Sequence, residues 1–597
     1  MATGNGSANL SFDVAIIGGG PAGTTAATML RKYSPDLKVL LVEKEKFPRD
    51  HIGESQLASI GAVLHEMGVW DKVEAAGFPI KIGASYTWGR DNDRWDFNFY
   101  PPEKWVDEPR PGKFEGQRTS VAFQVDRSIF DTILLRHAES VGVTVREETA
   151  VEEVLCTGDR VDGLKLSSGE TVTARWYIDA SGVVGILRRA LGIGADVVKE
   201  LRNIAIWDYW RNAKWAIRIG TGATRVQIRS LPYGWIWFIP LGPERTSIGL
   251  VTPVDHYRTS SKSPEDLYLD AVREQPEVAS LLEGAEREGT IRSCKDWSQL
   301  SDRVIGENWL LVGETCGFAD PILSAGMSLA HASGRDAAYT IMELDRGEHD
   351  AKWLRERYND CNRANVRQHI RFAQYWYSAN SCFTELRDNC QAIAAEAGLK
   401  LSPQAAWAWL SQGGFATEHP GVPSAGTFDV SLSRQLIGLF SGDGHTKPDY
   451  LMNGHNKFTL NLTGATAGVM GFLHEGRIQR VECYERAGHR LPKLGYYDLV
   501  IQTLKQTSDA QTMVNMLSAE LQRKNPSAPP QVHRSQMALC LSALETMLDE
   551  YWVTRAINRR KPLLQVSHEG TALLRTAKED RDALSGETVS RIESNID

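Results

Sequence analysis

The chain has 597 residues, of which 42% are hydrophobic and 24% are charged, and its formal net charge at pH 7 is −8. This length allows two or three domains with a sizeable core, and the mildly acidic balance argues against a general nucleic-acid-binding surface. No stretch of about 18 uninterrupted apolar residues is present, so the sequence predicts no transmembrane helix and no membrane partner.

Residues 1–11 are small and polar and contain no apolar segment of a secretory signal. The eight cysteines are scattered and none forms a Cys-x-x-Cys pair, which predicts neither a metal site nor a disulfide framework. We therefore expect a reduced, cytoplasmic protein.

The first predicted elements form a nucleotide-binding βαβ unit. A mostly apolar strand at residues 12–17 leads into Gly18-Gly19-Gly20-Pro21-Ala22-Gly23, which matches G-x-G-x-x-G. A helix is predicted at 24–32 and a second strand at 38–42, directly before Glu43. A lone glycine pattern is weak, but strand, glycines, helix, strand and acid in register predict a dinucleotide site.

Each of these residues has a physical role in such a site. Gly18, Gly20 and Gly23 permit a tight turn and let the backbone approach a pyrophosphate at the positive end of the helix. Glu43 stands where an acceptor for a ribose hydroxyl belongs. The fingerprint alone does not separate FAD from NAD.

Later segments favour FAD, because they resemble, in order, the flavin-binding segments of the flavoprotein monooxygenase-like family. These segments are residues 47–55, 125–131, 176–182 and 313–321. The resemblance implies an α/β fold in which a Rossmann-type FAD-binding domain carries a mixed substrate-side sheet. It also implies FAD contacts, which it assigns to Arg49, Ser55, Arg127, Asp179, Glu314, Asp320, Pro321 and Gly326. Glu314 stands where the family usually has aspartate.

Residues 234–240 read Gly-Trp-Ile-Trp-Phe-Ile-Pro and place Trp235 and Trp237 one residue apart on a predicted strand. Packing of two large rings in a core would also explain this pair. Together with the flavin segments, the Trp-x-Trp-x-Ile-Pro string resembles the flavin-dependent halogenases. In that family these tryptophans lie near the flavin and keep the organic substrate away from it.

Lys81 begins a Lys-x-Gly-Ala-x-x-x-Trp-Gly segment that resembles the segment carrying the halogenases' catalytic lysine. The resemblance implies that reduced FAD (FADH2) and O2 oxidise chloride or bromide to hypohalous acid, which passes through an internal tunnel to Lys81. The lysine then either polarises the oxidant or forms a haloamine, and it places electrophilic halogen beside an electron-rich organic carbon, which we expect to be aromatic. A lysine suits this role because burial lowers its ordinary pKa of about 10.4.

Residues 321–327 follow the last flavin segment, and the resemblance assigns halide binding to backbone groups of Ser324, Ala325 and Gly326. Tryptophan halogenases carry a catalytic glutamate directly before this serine, where this chain has Leu323. The departure argues against free tryptophan as substrate. It favours phenols, pyrroles and other activated carbons, including carrier-bound ones, and leaves the general base unassigned.

Asp296 precedes Trp297 at a place where some relatives carry an aspartate close to the flavin ring. A covalent aspartyl–flavin ester at Asp296 is one hypothesis, and a solvated turn carboxylate is the other. No second G-x-G-x-x-G follows a predicted strand, which agrees with reduction of FAD by a separate NAD(P)H-dependent flavin reductase.

We predict three domains: an FAD-binding core with the interleaved substrate-side sheet at 1–345, a helical substrate-covering region at 346–430, and a C-terminal α+β region at 431–597. The third has a helix–loop–helix and strands compatible with a winged-helix-like fold, and it ends in a polar, disordered tail. Tyr375 and Trp376 either line a substrate pocket or belong to a buried helix face.

Three alternatives remain at this point. An aromatic hydroxylase on the same scaffold would consume NADPH unaided, and Trp235 and Trp237 argue against it because they would block access to the flavin ring. A reductase of isoprenoid double bonds would need a lipid-sized tunnel. A non-enzymatic flavin-binding protein would be unaffected by Lys81→Ala.

Overall fold

A computed structural model describes residues 9–87, 94–220, 222–295, 297–378, 450–486, 489–566, 574–576 and 589–591. The chain divides into two compact units, each described here by itself. The first unit comprises Met1–Ala392 with Leu573–Asp597, and the second unit comprises Ile393–Ala572.

The strands, in chain order, are β1 (Asn9–Ile17), β2 (Val39–Val42), β3 (Ile80–Thr87), β4 (Arg94–Asn98), β5 (Ala122–Phe123), β6 (Thr144–Arg146), β7 (Val151–Thr157), β8 (Arg160–Leu166), β9 (Thr171–Asp179), β10 (Ala195–Val197), β11 (Asn203–Arg211), β12 (Ile217–Ile219), β13 (Ala223–Leu231), β14 (Gly234–Pro240), β15 (Arg245–Pro253), β16 (Glu286–Arg287), β17 (Arg292–Lys295), β18 (Gln299–Ser301), β19 (Trp309–Leu311), β20 (Gly317–Phe318), β21 (Lys457–Leu460), β22 (Thr466–His474), β23 (Arg477–Arg486), β24 (His489–Pro492), β25 (Val553–Ala556), β26 (Leu574–Thr576) and β27 (Val589–Arg591).

The α-helices are α1 (Pro21–Tyr33), α2 (Ser59–Met67), α3 (Trp70–Ala75), α4 (Arg127–Ser140), α5 (Ile186–Ala190), α6 (Val254–Ser260), α7 (Pro264–Glu274), α8 (Pro276–Leu281), α9 (Gly326–Arg346), α10 (Ala351–Ser378), α11 (Gly495–Leu504), α12 (Ala510–Lys524) and α13 (Pro530–Asp549).

A seven-stranded sheet carries the predicted nucleotide-binding unit. Its order is β6-β2-β1-β9-β8-β7, with β19 beside β9, and β1 pairs in parallel with both β2 and β9. Strand β2 is fully buried, as expected of a parallel strand covered on both faces. Helix α1 begins with a proline at its first position, where no N–H is needed. It packs closely against α9, because Gly334 leaves room for the backbone of Ala22.

A second, twelve-stranded mixed sheet has the main order β16-β11-β15-β14-β13-β3-β4-β26. One face packs its aliphatic side chains, such as Ile236 and Leu250, against Leu267 and Tyr268 of helix α7. The opposite face is aromatic, and we call it the tryptophan face. It is defined by Tyr86, Trp207, Tyr209, Trp235 and Trp237. This pair of sheets confirms the predicted α/β fold with a Rossmann-type domain and a mixed second sheet.

A β-bulge decides on which face Lys81 lies. Lys81 pairs with Thr224 on β13, whereas Gly83 pairs with the next residue, Arg225, so that Ile82 is the extra residue. Directly paired residues share a face, and a bulge interrupts the alternation along its strand. Lys81 therefore lies on the tryptophan face, with Thr224, rather than on the opposite face with Arg225.

Two buried arginines on the opposite face have carboxylate partners. Arg225 lies 3.3 Å from Asp96, and Arg229 donates a hydrogen bond of 2.7 Å to Glu277 of helix α8. Both guanidinium groups are almost fully buried, so this pairing offsets the cost of removing their charges from water.

The second unit is a mixture of helices and strands. Strands β22, β23 and β24 form an antiparallel sheet, and β21 pairs with β25. Helices α11, α12 and α13 contribute to a buried core that includes Met513, Leu517, Leu544 and Trp552. The winged-helix-like interpretation stays a prediction, as do the three domain boundaries and the tail. Over the described ranges, no helix is both long and apolar enough to span a bilayer.

Candidate active site

The glycine loop between β1 and α1 turns so tightly that two of its glycines have no room for a Cβ atom. Gly18 has a φ of +109°, and a Cβ atom there would lie 2.4 Å from the carbonyl oxygen of Ala180. A Cβ atom at Gly23 would lie 2.1 Å from the carbonyl oxygen of Gly18. A Cβ atom at Gly20 would make only an ordinary van der Waals contact, 3.6 Å from Arg49. Gly18 and Gly23 are therefore required by the fold itself, whereas Gly20 is not.

Glu43 lies at the end of β2 and holds this loop in place. One carboxylate oxygen accepts a 2.8 Å hydrogen bond from the backbone N–H of Gly19, and the other accepts one of 2.9 Å from Glu45. Each carboxylate oxygen has more than one acceptor position. The predicted ribose contact is thus compatible with the loop contacts that Glu43 makes.

Arg127 begins helix α4 and forms a bidentate pair with Asp131, with distances of 2.7 and 2.8 Å. Its remaining nitrogen donates to the carbonyl oxygens of Ile52 and Gly53. Arg49 lies 3.4 Å from the same Asp131 carboxylate. The two predicted flavin arginines are therefore brought together, and Arg127 braces the segment that carries Ser55.

Two buried polar side chains beside this segment lack partners. The hydroxyl of Ser55 and both amide atoms of Gln124 have no hydrogen-bond partner in the described part of the chain, and the two residues form an isolated β-bridge. A buried, unsatisfied polar group costs about 1–3 kcal/mol. Together with the glycine cradle, these groups suit a polar cofactor such as FAD.

Asp179 and Glu314 flank the next turn. The Asp179 carboxylate accepts hydrogen bonds from the backbone N–H groups of Ser181, Leu187 and Arg188. Asp179 thus holds the turn after β9 from within. Glu314 is half-buried, and the removal of its carboxyl group from water raises its pKa, while the charge of Arg127 opposes that rise.

Asp320 lies in the last predicted flavin segment and caps the short 3-10 turn Pro321–Leu323. Its carboxylate accepts hydrogen bonds from the backbone N–H of Ile322 at 3.0 Å and from the hydroxyl of Tyr377 at 2.8 Å. Burial raises the pKa of Asp320 to about 6. The indole N–H of Trp297 lies 3.4 Å from its second oxygen. The neighbouring Asp296 lies outside the described residues, so the predicted flavin ester stays a prediction.

The predicted halide segment ends at the N-terminus of α9. Ser324 has a φ of +58° and Gly326 is the first helical residue. A Cβ atom at Gly326 would lie 2.7 Å from the ring of Phe318, so the turn requires glycine. The first N–H groups of a helix have no intrahelical acceptor and attract anions. The N–H of Ser324 donates to the carbonyl oxygen of Pro321 at 2.9 Å and is therefore not free for an anion, so the halide site predicted at Ser324, Ala325 and Gly326 stays a prediction.

Trp235 and Trp237 are buried side by side on the tryptophan face, with their ring centres 6.0 Å apart. Trp207 follows at 6.4 Å from Trp237. The Trp237 ring lies flat over Gly249, where a Cβ atom would come within 2.2 Å of it. Its indole N–H donates to the hydroxyl of Ser247 at 3.1 Å. The three rings form a continuous aromatic wall.

Glu54 was noted in the sequence only as part of a flavin segment, and its place is a finding of the structure. The buried carboxyl group accepts a 2.8 Å hydrogen bond from the hydroxyl of Tyr209. Burial raises the pKa of Glu54 to about 7. The guanidinium of Arg245 lies 3.8 Å from the centre of the Tyr209 ring. An acid between Gly53 and Ser55 is the only sequence signal for this contact.

Lys81 is buried, with 1% of its surface exposed. Its ammonium group donates a 2.8 Å hydrogen bond to the carbonyl oxygen of Gln56 and lies 5.3 Å from the centre of the Phe99 ring. No carboxylate pairs with Lys81 among the residues that the structure describes. Burial alone lowers its pKa to about 7.

The end of helix α10 supplies two aromatic residues to the same face. The Trp376 ring packs on Tyr86 with centres 5.2 Å apart, and the Tyr377 hydroxyl accepts a 2.9 Å hydrogen bond from the indole of Trp235. The side chain of Tyr375 lies outside the described residues. From the sequence, Tyr375 and Trp376 were interpreted either as pocket residues or as part of a buried helix face. Tyr377 had no assigned role, because its partners are distant in sequence.

Comparison with known proteins gives the family. A family model described as tryptophan halogenase matches residues 13–109 and 103–392. A tryptophan 2-halogenase of Chondromyces crocatus is 33% identical over 379 residues, which span 62% of this chain and 69% of that protein. A 1H-pyrrole-2-carbonyl-(peptidyl-carrier protein) chlorinase of Pseudomonas fluorescens is 33% identical over 386 residues, which span 62% of this chain and 85% of that protein.

A solved structure agrees. The myxobacterial chondrochloren halogenase CndH, described as a variant of FAD-dependent halogenases, superposes with a TM-score of 0.57 at 29% identity. The match covers 65% of this chain and 90% of that chain. These matches favour an enzyme that halogenates organic substrates over the aromatic hydroxylase. The chain belongs to the flavin-dependent halogenase family.

Proposed function

We propose that this halogenase transfers an electrophilic halogen from Lys81 to an electron-rich aromatic or heteroaromatic carbon. The observation that carries the proposal is the buried amine of Lys81 on the tryptophan face, bonded to the carbonyl oxygen of Gln56. Family membership implies FAD, O2 and a halide. When bound, reduced FAD supplies, with O2, the oxidation of chloride or bromide to hypohalous acid.

The environment of Lys81 supports both forms of the amine. With a pKa of about 7, a substantial fraction is ammonium and a substantial fraction is neutral at neutral pH. The ammonium donates a hydrogen bond to hypohalous acid and polarises its oxygen–halogen bond. The neutral amine attacks the halogen, which forms an N–halogen bond and releases water. Both routes leave the halogen at the position of Nζ.

The aromatic wall supports a division of the site. The Trp237 ring lies against Gly249 of the second sheet, and the Trp235 indole is bonded to Tyr377 at the end of α10. Such a wall lets a small oxidant pass along the face while it holds a ring-sized substrate at Lys81. It also limits reaction of the oxidant with water.

We further propose which residues serve FAD and halide. The residues proposed to hold FAD are Gly18, Gly20, Gly23, Glu43, Arg49, Ser55, Arg127, Asp179, Asp296, Glu314, Asp320, Pro321 and Gly326. The backbone of Ser324, Ala325 and Gly326 is proposed to hold the halide. The orphan hydroxyl of Ser55 and the glycine cradle support the cofactor assignment.

The proposed substrate is a phenol, a pyrrole or a related activated ring rather than free tryptophan. Leu323 supports this, since it stands where the resemblance places the glutamate of tryptophan halogenases. Relatives that chlorinate or brominate a pyrrole on a peptidyl-carrier protein support a carrier-bound form of the substrate. We propose that a separate NAD(P)H-dependent flavin reductase delivers the reduced FAD.

The test is a reaction analysed by mass spectrometry. The protein is mixed with FAD, a generic flavin reductase, NADH, O2, bromide and a panel of free and carrier-bound phenols and pyrroles. Wild type is expected to give products with the bromine isotope pattern, and Lys81→Ala is expected to give none while it still binds FAD. Lys72→Ala is the control for the loss of a lysine elsewhere, because Lys72 is an exposed lysine of helix α3 whose amine lies 3.1 Å from His137.

The outcomes separate the alternatives. Brominated product in Lys81→Ala at the wild-type rate would remove the lysine from the mechanism. Oxygen insertion without bromine would identify an aromatic hydroxylase. Bromination of free tryptophan in preference to every phenol and pyrrole would contradict the substrate assignment.

A further inference from the structure

The indole of Trp235 and the carboxylate of Asp320 are connected through one hydroxyl group. Trp235 donates to the hydroxyl of Tyr377 at 2.9 Å, and that hydroxyl donates to Asp320 at 2.8 Å. All three residues are buried. Trp235 belongs to the second sheet, Asp320 belongs to the flavin segment, and Tyr377 belongs to the last turn of α10. Three separate elements therefore meet at a single oxygen atom.

The geometry fixes the direction of both hydrogen bonds. An indole N–H is only a donor and an ionised carboxylate is only an acceptor. The phenol hydroxyl is the group that accepts from the first and donates to the second. A phenylalanine at this position would fill the same space but would leave the indole N–H and one carboxylate oxygen without this partner.

Trp235 and Trp237 of the aromatic wall are held by different hydrogen bonds. Trp237 donates to Ser247, a residue of the neighbouring strand β15. Trp235 instead depends on a residue 142 positions away along the chain. The next residue on α10 towards the N-terminus, Trp376, packs on Tyr86 of the same face. A ring contact and a hydrogen bond thus join the helix end to the tryptophan face.

We propose that Tyr377 is a positioning residue that locks the Trp235 ring against the Asp320 carboxylate and so keeps the aromatic wall closed to water. This role of Tyr377 is separate from the chemistry of Lys81, and only its expected effect on the yield of halogenated product rests on the proposed function. Its effect on the Trp235 ring is independent of FAD, halide and substrate.

The first arm of the test measures hydrogen exchange in the apoprotein. Deuterated protein is labelled with 15N-indole tryptophan, and the Trp235 and Trp237 resonances are assigned by their loss in Trp235→Phe and Trp237→Phe. In Tyr377→Phe the Trp235 indole N–H is expected to exchange about 5-fold faster or more. The Trp237 indole N–H, bonded to Ser247, is expected to keep its rate.

Tyr358→Phe is the matched control. Tyr358 lies on the same helix, is equally buried, and donates a 2.7 Å hydrogen bond to the carbonyl oxygen of Leu311. Tyr358→Phe removes this hydroxyl and tests whether the loss of any buried hydroxyl from α10 loosens the aromatic wall. We expect it to leave the exchange of both indoles unchanged.

The second arm measures how reduced FAD is used. In Tyr377→Phe, the ratio of halogenated product to hydrogen peroxide is expected to fall about 5-fold or more, while the rate of reduced-FAD oxidation stays within about 2-fold of wild type. Adding Trp235→Phe to Tyr377→Phe is expected to lower the ratio no further, because the two residues act as one unit. Adding Trp237→Phe is expected to lower it again.

Each result decides one claim. Unchanged Trp235 exchange in Tyr377→Phe, or equal acceleration of both indoles, would overturn the positioning role. If Trp235 exchanges faster in Tyr377→Phe but the wild-type protein makes no halogenated product, the positioning role is supported and the proposed function is refuted. Faster exchange with an unchanged product-to-peroxide ratio would overturn the claim that this contact keeps water out.

Discussion

Replacing Lys81 by methionine tests the burial of its amine by thermodynamics alone, without FAD or substrate. Methionine has a similar length, no charge and a flexible apolar chain. The amine has 1% exposure and no carboxylate partner within the described part of the chain. We therefore expect Lys81→Met to raise the free energy of unfolding at pH 7.

The size of the effect follows from the pKa. Burial lowers the pKa of Lys81 from 10.5 to about 7, and each unit corresponds to about 1.36 kcal/mol. The charged form therefore costs the folded wild type about 4 kcal/mol at pH 7 and about 2 kcal/mol at pH 9, as orders of magnitude. Because the unfolded chain holds this proton up to a higher pH than the folded chain, wild-type stability rises with pH between about 7 and 10.5.

The assay is urea unfolding of both apoproteins at pH 7 and pH 9. The advantage of Lys81→Met is expected to shrink by about 2 kcal/mol between the two values. The lost hydrogen bond to Gln56 adds a nearly constant offset, so the change with pH isolates the charge. Lys44→Met, at a lysine with 64% side-chain exposure, is expected to show no such change. An advantage of Lys81→Met that is equal at both pH values would refute the argument from burial.

Three further predictions use other parts of the site. Gly23→Ala is expected to abolish FAD binding, since its Cβ would lie 2.1 Å from the backbone of Gly18. Gly20→Ala, whose Cβ would lie 3.6 Å from the nearest atom, is expected to fold normally. Equilibrium dialysis measures FAD binding by both variants, and circular dichroism measures their folding. In the wild type, the raised pKa of Glu54 is expected to lower the free energy of unfolding by about 3 kcal/mol as the pH rises from 4.5 to about 7. Glu54→Gln is expected to lack this decrease. Identical urea midpoints for wild type and variant across that pH range would count against the prediction. If Asp296 forms an ester with FAD, acid denaturation is expected to leave flavin absorbance with the protein, and its complete release into the supernatant would dismiss the ester.

Local patterns predicted the βαβ unit that carries the glycine loop. Gly18, Gly23 and Glu43 lie within a single βαβ unit, so their spacing along the chain fixes their spacing in space. The structure gives each glycine a steric reason and gives Glu43 a contact with the loop. From residue spacing alone, a single sequence predicts only the relative positions of residues that are close together along the chain.

Long-range contacts were out of reach of the same reasoning. Tyr377 contacts Trp235 from 142 residues away, and Glu54 meets Tyr209 across 155 residues. Such pairs depend on how helix α10 and the second sheet pack, which no local pattern encodes. The face of Lys81 was equally hidden, because simple alternation along β3 would place it with Ser85 and Arg225.

The bulge at Ile82 determines the face on which the Lys81 amine lies through the number of residues in the strand, not through their chemical nature. Every residue of β3 before the bulge is out of phase with every residue after it. Deleting Ile82 would remove the extra residue and leave Lys81 paired with Thr224 on the tryptophan face, whereas regular alternation that retained Ile82 would turn the amine towards the layer of α7 and α8. In this scaffold a single residue held as a bulge, with no substitution anywhere, decides which side of the second sheet carries the lysine.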